Sequence, residues 1–321
     1  MRKLLNALSW AACIILLNGC RNETESAAPV ELDISSQTYV TTLTEETTTE
    51  TETTAPRIRN LVTLGDSISA GYGLEHPEAQ RYSALLVQKL ADDEGISWND
   101  YNYAVSGDDS SDLLNLLEDG KARSLPEADM ICLYIGANNL LGPYTDYLKS
   151  VSQIFRKPDG ETGAAAWIGS ITSAVSSNIQ SFTEINEKVD EGMERLTKDL
   201  PDTYNRIRQM NADAPIFLMT VYNPYKYVSF SNPVTKESFG VYTGEKIDRL
   251  NDIIRSFKTS HPDITLVDIH DAFEKLEKVP ILGNINEGIS SEQKANVDPH
   301  PNAEGQRVIA DTVFAARRSA K

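Results

Sequence analysis

The sequence predicts an α/β protein in which a central parallel sheet is covered by helices on both faces. Three observations lead there. Five short apolar runs, at 60–64, 101–105, 130–136, 215–222 and 264–269, alternate with longer stretches of helical pattern. Several runs, such as "MICLYIG" and "PIFLMTVY", are apolar throughout, as expected of strands buried on both sides. Finally, 321 residues with 40% hydrophobic and 24% charged content can bury a large core.

The chain does not begin with that fold. Residues 1–19, opening "MRK" and continuing with an apolar run from Leu4 to Leu17, read as a secretory signal too short to span a membrane comfortably. The ending Leu17-Asn18-Gly19-Cys20 resembles a bacterial lipobox, which implies cleavage before Cys20 and acylation of its thiol. The mature protein is then expected on the outer face of a membrane, held by lipid and without a transmembrane helix. Residues 20–56 include "TTLTEETTTETETTAP", and Arg21 to Pro56 holds eight acidic residues against one basic. A segment so poor in bulky apolar groups cannot offset its ordering entropy, so a disordered tether is expected.

The folded domain is expected over 57–321. Its first strand, "NLVTL" (60–64), runs into Gly65-Asp66-Ser67, and a helix follows over 80–94. "YNYAV" (101–105) precedes a helix over 110–119, and "MICLYIG" (130–136) precedes an insertion at 140–188. That insertion carries an apolar stripe through Tyr147, Leu148, Val151 and Ile154, resumed at Trp167, Ile171, Val175 and Phe182. It reads either as padding for the rim of the core or as a cap over a site. Helices over 190–211 and 243–259 flank the last two strands, and a helix from Ala303 to about Arg318 closes the chain.

Charge narrows the partners. A net charge of −17, with 27 basic and 39 acidic residues from Arg57 onward, repels nucleic-acid phosphates. Once the signal and Cys20 are set aside, Cys132 alone remains, in an apolar run, and reads as a small buried hydrophobe. Four scattered histidines with no paired spacing give no metal site, and "GDSISAGYG" lacks the Lys-Ser/Thr of a phosphate loop. No cofactor is expected.

Chemistry gathers at strand ends. Ser67 follows the first strand, Gly107 in "AVSGDDSS" the second, Asn138 in "YIGANNL" the third, and His300 in "VDPHPNAEG" precedes the last helix. Ligands of open α/β sheets bind beyond the carboxyl ends of the strands, so these four can share one site. A serine becomes a nucleophile when a base takes its proton and donors receive the oxyanion.

With those four blocks in order, the chain from about Arg59 onward resembles the SGNH or GDSL hydrolases, most of all the branch of lysophospholipases and thioesterase-like acyl hydrolases. The resemblance implies a three-layer, flavodoxin-like α/β/α fold. It implies Ser67 as nucleophile, His300 as general base and acid, and an oxyanion hole formed by the N–H groups of Ser67 and Gly107 with the amide of Asn138.

Two departures stand out. Asn139 follows Asn138 where the family often has Asp. The family's acid stands three residues before its His, where this chain has Val297, while Asp298 lies two before His300. Asp298 is the expected partner of His300. The alternatives are a backbone carbonyl, giving a Ser–His dyad, or a carboxylate from elsewhere such as Asp271. His270, in "VDIHDAF" with Asp268 two before it, reads as structural, and His76 and His261 as surface residues.

The expected activity is that of an extracytoplasmic, monomeric serine lipase or esterase, lysophospholipase-like, acting on a small-molecule or glycan ester. The rivals are a carbohydrate esterase removing acetyl groups from polysaccharide and a non-catalytic lipoprotein that binds glycan or lipid.

Overall fold

A computed structural model describes residues 58–154, 164–228, 237–287 and 296–320, with side chains throughout except at 146–154 and 164–183. Five parallel strands form one sheet: β1 (Arg59–Gly65), β2 (Trp98–Asn102), β3 (Met130–Tyr134), β4 (Ile216–Met219) and β5 (Ile264–Val267). Their order is β2-β1-β3-β4-β5, with Val62 beside Ile131, Ile131 beside Ile216, and Phe217 beside Thr265. All residues of β3 and β4 are buried, which is why those runs are apolar without alternation.

Nine helices flank the sheet among the described residues. They are α1 (Ser67–Ala70), α2 (Pro77–Gln80), α3 (Tyr82–Glu94), α4 (Ser110–Glu118), α5 (Ala137–Ile154), α6 (Ala164–Met210), α7 (Phe239–Ser260), α8 (Ile269–Glu274) and α9 (Ala303–Ser319). α3 packs on α9, while α4 and α5 pack on α6. The three-layer architecture is the expected one.

One expectation changes in detail. The second run was expected as a strand over 101–105, but β2 ends at Asn102. It is an edge strand with alternating burial, so its Asn99 and Asp100 hide it from a search for apolar runs. Tyr103 to Val105 then continue along β1, with Tyr103 N–H donating to Thr63 O at 2.9 Å and Val105 N–H to Gly65 O at 3.1 Å. The 140–188 insertion, expected either as rim padding or as a cap, supplies the end of α5 and the start of the 47-residue α6. The side chains of its apolar stripe lie outside the described residues.

In this strand order the chain moves outward from β1 to β2 and then returns past β1 to β3. That reversal leaves a crevice at the carboxyl ends of β1 and β3. The site occupies that crevice.

Candidate active site

β1 ends where no side chain fits. A Cβ on Gly65 would stand 2.3 Å from the carbonyl oxygen of Tyr134 and 2.6 Å from Ser69 Oγ. Asp66 then caps α1, its Oδ1 accepting the N–H of Ile68 at 2.9 Å. Ser67 is the first residue of α1, so its own N–H has no partner within the helix. Its side chain is buried at the floor of the crevice.

His300 arrives from the far end of the chain. Its Nε2 lies 2.8 Å from Ser67 Oγ, and its Nδ1 lies 2.6 Å from Asp298 Oδ1. An ionised carboxylate only accepts, so Nδ1 carries the proton and Nε2 faces the serine hydroxyl as an acceptor. Asp298, His300 and Ser67 thus form one continuous chain of hydrogen bonds.

The short Asp298–His300 spacing works because the aspartate folds back over its own turn. Asp298 Oδ1 also accepts the backbone N–H of His300 at 3.0 Å, closing a local loop around Pro299. Tyr222 fixes that loop from below, donating its hydroxyl to the carbonyl of Pro299 at 2.6 Å. Backbone pairing fixes it from the side, with Leu282 N–H donating to His300 O at 2.8 Å and Gly283 N–H to Asp298 O at 2.9 Å. Of the three ways to orient His300 left open by the sequence, the geometry presents Asp298. Asp271 pairs with Lys275 at 2.6 Å on α8 instead.

Asn138 is tied to the turn that holds Gly107. Asn138, the second residue of α5, donates through Nδ2 to the carbonyl of Asp108 at 2.8 Å, one residue past Gly107. One proton of that amide therefore holds the loop. Gly107 has φ of +98°, while a Cβ there would meet nothing within 4 Å. Backbone conformation, rather than space, calls for glycine at this position.

Asn139 explains its own departure from the family pattern. Buried between helices, it accepts the N–H of Ser110 at 3.1 Å and donates to Ser110 Oγ at 2.9 Å and to Gly192 O at 3.0 Å. An ionised aspartate could not make those two donations. It would also sit near Asp199, whose Oδ2 accepts from Ser110 Oγ at 2.9 Å.

Burial pushes the Asp66 carboxyl up to about 7, opposed by the Ile68 N–H and the nearby His300. Its second oxygen, Oδ2, has no partner among the described residues. Burial, with Asp112 and Asp109 adding to it, also raises the Asp108 carboxyl. Cys132 is fully buried and its thiol is pushed up by that burial, so it is a core residue. No group of three His, Cys, Asp or Glu among the described residues could hold a metal ion.

The remaining histidines lie apart. His270, the second residue of α8, faces Asp248 at 3.5 Å, while Asp268 caps that helix and binds Thr220 and Arg255. His76 is exposed, whereas His261 stacks on Phe257 at 4.0 Å and is half-buried, a correction to its expected surface place.

Sequence reasoning did not single out Tyr222, Gln306 or Tyr72. Gln306 Nε2 donates to Ile68 O at 2.9 Å, joining α9 to α1. Its signal was there to be found: it is a polar residue in line with the apolar stripe Ile309, Ala310 and Val313 of α9.

Comparison with known proteins adds the following. The model of the GDSL-like lipase/acylhydrolase family matches residues 63–308. The uncharacterized protein YpmR of Bacillus subtilis is 24% identical over 258 residues, covering 80% of each chain. Among solved structures, a lipase from a goat rumen metagenome is 18% identical with a TM-score of 0.51, over 80% of this chain and 97% of that one. An extracellular lipase from Streptomyces rimosus is 17% identical with a TM-score of 0.50, over 82% of this chain and all (100%) of that one. At such identity these two likenesses concern the fold alone.

Proposed function

The chain belongs to the GDSL-like lipase/acylhydrolase family, whose members hydrolyse esters, and from that premise we propose that it cleaves acyl esters through a covalent intermediate on Ser67. The observation that carries this reading is the hydrogen-bonded sequence Asp298, His300, Ser67, with lengths of 2.6 and 2.8 Å.

The steps follow from the donors and acceptors. Ser67 Oγ attacks the ester carbonyl carbon as its proton passes to His300 Nε2. Asp298 holds the Nδ1–H and stabilises the imidazolium that forms. The carbonyl oxygen becomes an oxyanion, received by the N–H groups of Ser67 and Gly107 and the second amide proton of Asn138. As the tetrahedral adduct collapses, His300 returns the proton to the leaving alcohol oxygen. Water, deprotonated by His300, then attacks the acyl-Ser67 carbonyl and releases the carboxylic acid, regenerating the serine.

Acyl esters of small alcohols or lipids are the substrates of this reading. Val105, two residues before Gly107, is exposed and adds apolar surface to the Gly107 turn. Lipid on Cys20 and the 20–56 tether would place the reaction at the outer face of a membrane.

Steady-state turnover of aryl esters from acetate to long acyl chains, set beside acetate release from acetylated xylan, tests the proposal. Higher kcat/KM on the aryl acyl esters supports it. A preference for acetyl groups on the polysaccharide would replace it with a carbohydrate esterase. Turnover of none would leave a binding protein.

A further inference from the structure

Outside the Ser67, His300 and Asp298 set, one aromatic side chain touches the base directly. Tyr72 lies with its ring centroid 4.5 Å from that of His300, the planes inclined by 42°. It is 51% exposed, so its ring stands on the solvent side of the imidazole. A large half-exposed aromatic in that position needs a reason.

Its backbone supplies one. Tyr72 N–H donates to the carbonyl of Ser67 at 3.0 Å, immediately after α1 closes at Gly71. The next residue, Gly73, approaches Leu282 so closely that a Cβ on it would stand 2.3 Å from Leu282 Cδ1. Leu282 in turn donates its N–H to His300 O at 2.8 Å. The turn 71–73 therefore bridges the backbone of the serine and the segment paired with the histidine's backbone, with the Tyr72 ring laid against the imidazole.

From this geometry we infer that Tyr72 is a positioning residue that holds the His300 ring on line with Ser67 Oγ and offers its aromatic face to the imidazolium formed during the reaction. Asp298 fixes one ring nitrogen and Ser67 engages the other, but neither restrains tilt about the line joining them. A ring packed against the imidazole does. The face of an aromatic ring also attracts a cation, so the contact strengthens when His300 takes the serine's proton. Interactions that strengthen in the transition state raise kcat rather than lower KM. The inference rests on the ester-hydrolase reading.

Tyr72→Leu keeps apolar bulk but removes the flat ring, and Tyr72→Phe keeps the ring. Both should fold, because the residue is half-exposed and fills no core space. The probes are p-nitrophenyl acetate and p-nitrophenyl octanoate. Tyr72→Leu should lower kcat about tenfold on both esters with KM within twofold, and Tyr72→Phe should restore kcat to within twofold of the parent. Unchanged kcat in Tyr72→Leu, or a KM that rises with acyl length, would overturn the inference and make the ring a binding wall. Both results leave the hydrolase reading standing. A parent protein that turns over neither ester overturns that reading and this inference with it.

Discussion

Gln306 donates through Nε2 to the carbonyl oxygen of Ile68 at 2.9 Å, and its Oε1 accepts the N–H of Tyr82 at 2.8 Å. One fully buried amide thereby ties α9, which begins just after His300, to α1, which carries Ser67, and to the start of α3. The helix that follows the base is clamped to the helix that presents the nucleophile.

Gln306→Leu keeps the volume and removes both hydrogen bonds. Ile68 O retains a long bond from Gly71 N–H at 3.3 Å, but the buried N–H of Tyr82 loses its partner. Urea unfolding should show a loss of about 2–3 kcal/mol, the cost of stranding a buried donor plus part of a second bond. Ester turnover per folded molecule should fall too.

Tyr222→Phe tests the clamp on the shortened turn. The ring stays stacked on Phe273, at 4.3 Å between centroids, while Pro299 O loses its donor. Stability should drop by about 1–2 kcal/mol. Steady-state kinetics should show kcat down by roughly tenfold with KM nearly constant, because the change acts on His300 rather than on substrate.

Asp66 makes stability depend on pH. An unfolded Asp titrates near ~4, whereas burial holds this one up to about 7. Between those values the folded state keeps a proton that the unfolded chain has lost. The contribution of Asp66 to stability is therefore greatest below about pH 4, declines as pH rises, and levels off once pH passes about 7. Asp66→Asn retains an oxygen to cap Ile68 and cannot ionise. The drop in unfolding free energy from pH 5 to pH 8 should be smaller in the variant, by on the order of 3 kcal/mol. Equal drops in both proteins would show that Asp66 does not titrate in this range.

Asp298→Asn separates the orienting acid from the nucleophile. The local turn can persist, since an amide oxygen still accepts the His300 N–H, but Nδ1–H loses its ionised partner. Turnover should fall by about 10³–10⁴, and by more, about 10⁶, in Ser67→Ala. Comparable activity in Asp298→Asn and the parent would mean that a backbone carbonyl orients the base.

The layout of the protein was legible where one physical cause dominates. Strands β3 and β4 are buried on both faces, and nothing but apolar residues suits them. Ser67 and Asn138 could be placed because each stands where a strand gives way to a helix, and Gly107 and His300 because each lies in the loop that leads into a helix. β2 was misplaced because an edge strand mixes Trp98 with Asn99 and Asp100. The supporting polar groups escaped notice for a different reason. Tyr222 acts through one hydrogen bond to a backbone atom 77 residues away and Gln306 through two to backbone atoms 238 and 224 residues away, and no local pattern encodes such partners. Asp298 could be named as the expected acid, but its reach depends on the fold of a Pro299 turn that only coordinates display.

The account stands or falls on whether the hydroxyl of Ser67 is activated by His300. The most direct measurement is reaction of the folded protein with a fluorophosphonate, followed by peptide mass mapping of the parent and of His300→Ala. The account predicts one adduct per chain, on Ser67, that is lost or slowed by several orders of magnitude in His300→Ala. Rapid labelling of another residue, or labelling of Ser67 at the same rate without His300, would contradict it.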